Sequence, residues 1–280
     1  MRYTVLTYIF GGYEHVHEVV EKDPNADYVL VTDDPNLKSE TWRVVYDPMP
    51  KHSPFAKCYE VRFHPFRYVE TPIVVRIDGS IKVMKSLQVV VDEFEHGDYD
   101  RCVMMHPYRN TMAVEYNEWV KVRNYPAAQA TKCLKAMERF GFDLQTKGMI
   151  QGCFEIVRNN QVNRDVNDMV FGLLCLMGTG KIERIDQTVT TFVIERFFQD
   201  IKLMAVEETI VTDGRLMQWH WHKSDRIIYT GKPIEPMMGG EVVKVWKAGE
   251  AEVAVTRQHT GRKNEEGKPK RVKGANRKGK

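Results

Sequence analysis

The chain lacks long apolar runs and paired cysteines. Its 280 residues include five cysteines that are widely spaced, with no CxxC pair and no Cys/His cluster. The longest apolar stretch, Met169 to Met177, is about half of the ~18 residues that a membrane span needs. The first residues run straight into a strand-like segment, so we expect no secretory leader. A reduced, cytoplasmic protein without a transmembrane segment is the expectation.

Several standard nucleotide and nucleophile motifs are also absent. No Walker A sequence and no GxGxxG stretch occurs, which argues against a P-loop NTPase and a dinucleotide-dependent enzyme. No GxSxG elbow or Cys–His signature is present, so the common serine and cysteine hydrolase classes have no support. The content of 42% hydrophobic and 28% charged residues is ordinary for a globular protein.

The net charge of +3 hides an asymmetry. Residues 257–280 contain ten Lys or Arg and two Glu, a local charge of +8, so the rest of the chain carries −5. This segment is rich in Gly, Asn and Lys and almost without apolar residues, so we expect a disordered basic tail. It would contact nucleic acid or an anionic surface, or it is a solvated tail that only aids solubility.

Strand-like and helix-like segments alternate along the chain. Strands are expected at Tyr3–Phe10, Tyr28–Thr32, Trp42–Tyr46, Pro72–Ile77, Arg101–Met105 and Gly148–Val157, and a hairpin at Glu241–Trp246 and Glu252–Val255. Helices are expected around Phe55–Phe66, Leu87–Phe94, within 110–140, at Asp165–Met177 and at Glu183–Phe198, and residues 203–223 are expected to form strand and loop. Such alternation favours a largely parallel sheet with helices on its faces.

The segment Pro72 to Val83, PIVVRIDGSIKV, brings one carboxylate to the end of an apolar strand. In open α/β sheets ligands bind in the crevice beyond the carboxyl ends of the strands. Asp78 is therefore a candidate metal ligand, and the alternative is an aspartate that only caps the turn. Residues 26–34 repeat the arrangement and place Asp33 after a second strand.

Two histidines, His220 and His222, stand at i and i+2 in the sequence QWHWHK. On an extended segment they share a face, and imidazole together with carboxylate suits a divalent transition metal such as Mn²⁺. The predicted metal ligands are thus Asp78, His220 and His222. The alternative for the pair is a surface strand whose tryptophans pack inward.

Asp186 and Gln187 lie at the start of a predicted helix, where the helix dipole favours a carboxylate. A first-turn aspartate is the simpler interpretation. The functional hypothesis is that the pair faces a sugar hydroxyl or stabilises positive charge at an anomeric carbon, which makes Asp186 and Gln187 the candidate catalytic residues.

Basic side chains surround the predicted strand exits. They are Lys57, Arg62, Arg76, His106 and Arg109. Cations next to a metal-binding carboxylate are what a diphosphate site requires, because metal and cations together neutralise the phosphates. We therefore interpret these residues as candidate groups that bind a diphosphate-bearing donor. Most lysines and arginines are simply solvated, and that is the alternative for each of them.

Taken in order, these motifs resemble a known family. They are Thr32-Asp33-Asp34, Trp42-Arg43-Val44-Val45, Lys57, His64-Pro65-Phe66-Arg67-Tyr68, Ile77-Asp78-Gly79-Ser80-Ile81-Lys82, His106-Pro107-Tyr108-Arg109 with Glu115, Gly152-Cys153-Phe154-Glu155-Ile156-Val157-Arg158, Arg184-Ile185-Asp186-Gln187 and His220-Trp221-His222-Lys223. The chain resembles the glycosyltransferase-like domain of the plant turgor-regulating and mucilage-related proteins, which is similar to GT-A nucleotide-sugar transferases. The resemblance spans roughly residues 3–225.

The resemblance implies a GT-A-like fold, a mixed, mostly parallel sheet flanked by helices. The transferase domain is then expected over residues 1–225. A hairpin extension over 226–256 and the basic tail over 257–280 lie outside the resemblance. Asp78 would be the last position of a DxD-like motif whose first position is here Arg76, and His220 or His222 the late metal or diphosphate ligand. The resemblance also implies that base and ribose contact Thr7, Tyr8, Thr32 and Asp33.

The expected function is transfer of a sugar from a nucleotide diphosphate, most simply a UDP-sugar, to a hydroxyl of a saccharide acceptor, with Mn²⁺ or Mg²⁺ as cofactor. Two alternatives stay open. One is a catalytically inactive GT-A-like binding or scaffold module, favoured by Arg76 in the metal motif. The other is a transferase that acts on modified nucleic acid through the basic tail.

Overall fold

Strands and helices alternate along most of the chain. The computed structural model describes residues 1–48, 53–106, 111–121, 126–145, 148–177, 185–220, 223, 241–248 and 251–257. The strands are β1 (Tyr3–Ile9), β2 (Ala26–Thr32), β3 (Arg43–Tyr46), β4 (Ile73–Ile77), β5 (Ile81–Val83), β6 (Arg101–Met105), β7 (Ile150–Arg158), β8 (Leu203–Val206), β9 (Met217–Trp219), β10 (Glu241–Ala248) and β11 (Ala251–Arg257). The helices are α1 (Pro54–Phe63), α2 (Gln88–His96), α3 (Met112–Lys121), α4 (Ala127–Arg139), α5 (Gln161–Met177), α6 (Asp186–Phe197) and α7 (Thr209–Thr212), with a 3₁₀ turn at Pro65–Arg67.

The main sheet is mixed and mostly parallel. Across the described residues its order is β10-β11-β8-β6-β7-β4-β1-β2-β3. In the seven strands from β8 to β3, four neighbouring pairs are parallel, and only β7 runs against both of its neighbours. The predicted mixed sheet flanked by helices is therefore confirmed, and its architecture is compatible with a Rossmann-like fold.

The central strand β1 is buried on both faces. All seven of its residues, YTVLTYI, are buried, as expected for a parallel strand covered on both sides. Because successive side chains point to opposite faces, Val5 and Ile9 belong to one apolar cluster, whereas Leu6 and Tyr8 belong to another. The second face is covered by α1, which packs against α5, while α5 in turn packs against α6.

A small second sheet places a late segment of the chain at the exit of β4. Strand β5 follows the Asp78 turn and pairs antiparallel with β9, with Ile81 opposite Trp219 and Val83 opposite Met217. Ile81, Val83 and Met217 are all buried. The β5–β9 ribbon therefore fixes where residues 217–220 lie relative to Asp78.

Several boundaries differ from the sequence predictions. The described residues within 110–140 form two helices, and Pro126, which cannot continue a preceding helix, stands directly before α4. Helix α5 begins at Gln161, four residues before the predicted start, and the stretch 203–223 contains the short helix α7. Strands β10 and β11 form a hairpin, and β11 pairs antiparallel with β8, so this hairpin extends the main sheet. Among the described helices, none is both long and apolar enough to cross a membrane.

Candidate functional site

The carboxyl ends of β1, β2, β4 and β6 lie at one edge of the sheet. The first three are parallel to one another, and β6 shares their direction because β7 runs against both β4 and β6. Asp33, Asp78 and His106 directly follow β2, β4 and β6, so the fold brings these predicted residues to the same edge. This is the edge at which open α/β sheets bind ligands.

Asp33 joins the exits of β1 and β2. Its two carboxylate oxygens accept hydrogen bonds from the backbone N–H of Gly11 at 2.9 and 3.1 Å. Gly11 has φ of +63°, a conformation that side chains disfavour, which explains glycine at this position. Thr32 is buried and its Oγ1 accepts the N–H of Asp34 at 3.2 Å. Part of the hydrogen-bonding capacity of Asp33 is thus used to hold the loop after β1.

Thr7 and Tyr8 lie inside the sheet layer. Each is only 4% exposed. Tyr8 Oη accepts a hydrogen bond from Arg76 Nη1 at 3.2 Å. Thr7 Oγ1 is buried without a hydrogen-bond partner among the described residues. Both side chains therefore lie buried beneath the strand exits and present almost no surface to a ligand.

A buried ion network lies beneath the same edge, on the face covered by α1, α5 and α6. Its centre is Glu155 on β7, whose carboxylate contacts Arg62 at 3.3 Å, Arg76 at 2.9 Å and Arg101 at 3.1 Å. Burial raises the pKa of Glu155, but the three guanidinium groups outweigh it and hold the pKa well below its ordinary value. The carboxylate is therefore ionised, and the network carries its charges permanently.

Asp186 completes this network. Its Oδ1 accepts a hydrogen bond from Tyr59 Oη at 2.9 Å, and its Oδ2 pairs with Arg62. Asp186 is only 8% exposed. Both of its carboxylate oxygens are bonded to side chains of α1. Asp186 therefore lies within the buried ion network beneath the strand exits. Arg62 and the fully buried Arg76 lie in the same network, although both were predicted to contact the donor.

Gln187, the second candidate catalytic residue, differs from Asp186. Its Oε1 is buried and has no hydrogen-bond donor within the described part of the chain. The same holds for Gln151 Oε1 at the start of β7. A buried carbonyl oxygen without a donor is costly, so such acceptors are natural partners for a ligand hydroxyl or for water.

Lys57 is held by carboxylates of the protein. Its Nζ lies 2.8 Å from Asp47 Oδ2 and 3.1 Å from Glu60 Oε2, and the side chain is 8% exposed. Tyr68 Oη also donates to Asp47, at 2.6 Å. These contacts tie α1 to the segment that follows β3, so in this conformation Lys57 serves that connection, although it was predicted to bind the donor.

The Asp78 turn and His220 come together at the β5–β9 ribbon. The backbone N–H of Asp78 donates to Cys153 O at 2.9 Å, and Asp78 O accepts the N–H of Ile81 at 3.0 Å, which fixes the turn. The backbone N–H of His220 donates to the backbone carbonyl of Ser80 at 2.9 Å. The late histidine is thus hydrogen-bonded two residues from Asp78, whose side chain is half-buried.

The loop after β1 adds a group of metal-ligating side chains next to His220. Ligand atoms of Glu14, His15 and His17 all lie within 4.8 Å of one another, so this cluster could hold a metal ion. The ring of His17 stacks on that of His220, with centroids 4.5 Å apart. Burial lowers the pKa of His17 to about 4, and the neighbouring His220 and His15 act in the same direction. His17 is therefore neutral at neutral pH, the form that coordinates metals.

The sequence analysis missed this cluster and the central role of Glu155. Glu14-His15-Val16-His17 has the same i, i+2 histidine spacing as His220 and His222, so the sequence contains a signal for the histidine pair but not for its burial. Nothing local marks Glu155, because its three arginine partners come from distant segments. Of the predicted residues, Arg109 and His222 lie outside the described residues, as do all of 226–240 and all of 258–280.

Comparisons with known proteins do not assign the chain. A scan against models of known protein families finds no match, and a search of curated proteins finds no relative. The function therefore has to be argued from the residues at the strand exits.

Proposed function

We propose that this protein is a glycosyltransferase that moves a sugar from a nucleotide-diphosphate donor, most simply a UDP-sugar, to a hydroxyl of a saccharide acceptor. The motif order that resembles the GT-A-like transferase domain supports this proposal, and the mixed, mostly parallel sheet is compatible with it. The strand exits at one edge provide the crevice in which such folds take nucleotides.

The observation that carries the proposal is the hydrogen bond between His220 and Ser80. It is a backbone hydrogen bond, and it joins the segment that carries a late histidine to the turn that bears Asp78, although the two segments are about 140 residues apart in the sequence. A carboxylate and an imidazole at one strand exit suit a borderline divalent cation such as Mn²⁺, and Mg²⁺ is the harder alternative. A cation held there would neutralise charge on the leaving diphosphate.

The buried ion network supports an anionic ligand above it. Arg62, Arg76 and Arg101 supply three positive charges, and Glu155 and Asp186 supply two negative charges, which leaves one positive charge beneath the strand exits. In a low-dielectric interior this excess acts over a longer range than it would in water. Its role would be to favour a diphosphate without touching it.

Gln187 is the residue to which we assign contact with a sugar hydroxyl. Its buried Oε1 lacks a donor among the described residues, and a hydroxyl is a donor of suitable size. The contacts of Asp186 with Tyr59 and Arg62 would hold the backbone that carries Gln187 in position. Of the two predicted catalytic residues, Gln187 is thus the one with an unused polar atom.

A binding or scaffold module remains the second candidate, and one observation favours it. Arg76 occupies the first position of the Arg76-Ile77-Asp78 motif and is fully buried in an ion pair. Asp78 is then the one carboxylate of that motif left for a metal. A weaker metal site would suit a protein that binds a nucleotide-sugar and does not turn it over.

The first test is ligand binding followed by turnover. Because a ligand that binds only the folded state raises its stability, UDP, UDP-glucose, ADP-glucose and GDP-mannose with Mn²⁺ are screened by thermal shift on the full-length protein. Release of UDP is then measured with and without saccharide acceptors. We expect a shift with at least one uridine nucleotide, and loss of both shift and turnover in Asp78→Asn.

The matched control is Asp92→Asn, which removes an exposed aspartate on α2 and should leave both measurements unchanged. A shift without turnover would favour the binding module. If no nucleotide shifts the unfolding temperature, or if Asp78→Asn turns over as fast as wild type, the proposed transferase site is wrong.

A further inference from the structure

We propose that Glu14, His15 and His17 form a binding site for a divalent transition metal, with Zn²⁺ as the best-matched ion, on the loop between β1 and β2. This site is distinct from the cation site proposed at Asp78. It goes beyond sugar transfer, because it would exist whether or not the protein is an enzyme.

The three ligand atoms are already close to the spacing of a metal site. All lie within 4.8 Å of one another, and Nδ1 of His15 is 3.3 Å from Oε1 of Glu14. Ligands of a tetrahedral zinc ion stand about 2.0–2.2 Å from the metal, so two of them are about 3.5 Å apart. A movement of up to about 1.3 Å would bring the set together, and His15, with 45% of its side chain exposed, can make it.

Two of the three side chains are buried, which indicates a binding site and not an accidental proximity of surface side chains. The carboxylate-bearing side chain of Glu14 has no exposed area, and His17 is 8% exposed. His17 Nε2 is buried without a hydrogen-bond partner among the described residues. A buried imidazole nitrogen without a partner costs free energy, and coordination of a metal would recover it.

The ligand chemistry selects the class of metal. Two imidazole nitrogens and one carboxylate oxygen suit Zn²⁺ and its neighbours in the first transition row, whereas Mg²⁺ and Ca²⁺ prefer oxygen ligands throughout. Three protein ligands leave a fourth position of the tetrahedron open. The ring of His220 stacks on that of His17, with centroids 4.5 Å apart, so it covers one side of the cluster.

A metal bound by the cluster would connect two distant segments of the chain. Glu14 Oε1 accepts the backbone N–H of Lys223 at 2.7 Å, and His220 is hydrogen-bonded to the Asp78 turn through Ser80. An ion bound to Glu14 and His17 would therefore connect the loop after β1 with His220 and Lys223. We expect the metal to stabilise the strand-exit edge as a whole.

The experiment uses full-length, tag-free protein that has been stripped of metal with a chelator. Zn²⁺ is titrated by calorimetry without nucleotide, and Co²⁺ serves as a spectroscopic probe of nitrogen and oxygen ligation. We expect one Zn²⁺ per chain and no competition from excess Mg²⁺. His15→Ala should lower the affinity by more than about tenfold, since even loss of an outer partner of a ligand costs 10- to 100-fold.

Three further variants decide between explanations. His15 is partly exposed, so His15→Ala should fold normally, and His17→Ala is interpreted only with its unfolding temperature measured in parallel. His96→Ala removes an exposed histidine on α2 and should leave Zn²⁺ binding unchanged. Asp78→Asn should also retain it, which separates this site from the proposed transferase cation.

Three results would overturn the inference. One is the absence of stoichiometric Zn²⁺ binding by the wild type. The others are binding that survives both His15→Ala and His17→Ala, and binding that is lost in Asp78→Asn, because the metal would then lie elsewhere. Since no sugar nucleotide is present, none of these results depends on the transferase proposal.

Discussion

Arg76 shows how burial changes the meaning of a sequence motif. Its position in Arg76-Ile77-Asp78 is where the resemblance would place an acidic residue, yet its guanidinium is fully buried and paired with Glu155. Removing either partner would leave an uncompensated buried charge, which is strongly destabilising. Arg76 and Glu155 therefore require each other, and Asp78 is the carboxylate of the motif at the strand exit.

At the same scale, Gly152→Ala tests whether the ion network is tightly packed. A Cβ at Gly152 would lie 2.5 Å from Nη1 of Arg62, whose guanidinium is fixed by Glu155 and Asp186. Because Arg62 cannot move without loosening these ion pairs, we expect a loss of about 1–3 kcal/mol in unfolding free energy, typical of overpacking. Denaturant unfolding measures it.

The matched control is Gly172→Ala in α5, where a Cβ would meet nothing within 4 Å. Alanine favours helix over glycine, so this variant should be as stable as wild type or more stable by up to about 1 kcal/mol. Equal stability of the two variants would contradict a tightly packed network at Arg62.

At the scale of elements, local patterns could be read and distant pairings could not. The apolar run before Asp78 and the glycine after it predicted a strand exit correctly, because both signals are local. The β5–β9 ribbon depends on pairing between residues about 135 positions apart, and no local pattern encodes it. The same reason explains why Asp186 was interpreted as catalytic, since its partner Arg62 is 124 residues away.

The connection between β3 and α1 gives a pH-dependent prediction. Burial raises the pKa of Asp47, but hydrogen bonds from Lys57 and Tyr68 outweigh it, so the pKa is lowered. A depressed pKa contributes stability that is present above the ordinary aspartate value of about 4 and lost as the pH falls through the folded-state pKa. Asp47→Asn should therefore cost about 1–2 kcal/mol near pH 7.

The check is to measure unfolding free energies of both proteins between pH 3 and 7. The difference between wild type and Asp47→Asn should shrink as the pH falls below about 4, because the wild-type carboxylate is then protonated as well. Asp200→Asn, at an exposed position after α6, should show no such trend. A difference that does not change with pH would mean that the ion pair contributes nothing.

At the scale of the whole molecule, charge is separated along the chain. Residues 258–280 carry nine Lys or Arg and two Glu, and they lie beyond the end of β11. If this segment recruits nucleic acid, its deletion should reduce binding to duplex DNA or RNA at low salt. The logarithm of the association constant should fall with the logarithm of the salt concentration, with a slope of about −0.9 for each phosphate neutralised.

The comparison is between the full chain and a chain ending at Arg257, in a fluorescence anisotropy titration over a series of salt concentrations. The shorter chain keeps β11, so it should fold normally and its unfolding temperature should equal that of the full chain. Equal binding of the two proteins, or no binding by either at low salt, would leave the saccharide as the acceptor class and the tail as a solubility segment.

The overall architecture was more predictable than the chemistry of its edge. Alternation of apolar runs and helical patterns gave the mixed, mostly parallel sheet, because hydrophobic periodicity is a property of each segment by itself. The Glu14-His15-His17 cluster was missed because its significance comes from burial against His220, which only the fold creates.

The contact between Glu14 and Lys223 also bears on how the protein is made. The two residues are 209 positions apart, so a growing chain can close this contact only after nearly all of its sheet strands have left the ribosome. Contacts of such long sequence separation form slowly, since the intervening chain must first be ordered. Nascent chains that end before residue 217 will therefore hold β1 and its following loop without their late partner, and this loop will become resistant to protease only after residue 223 has emerged.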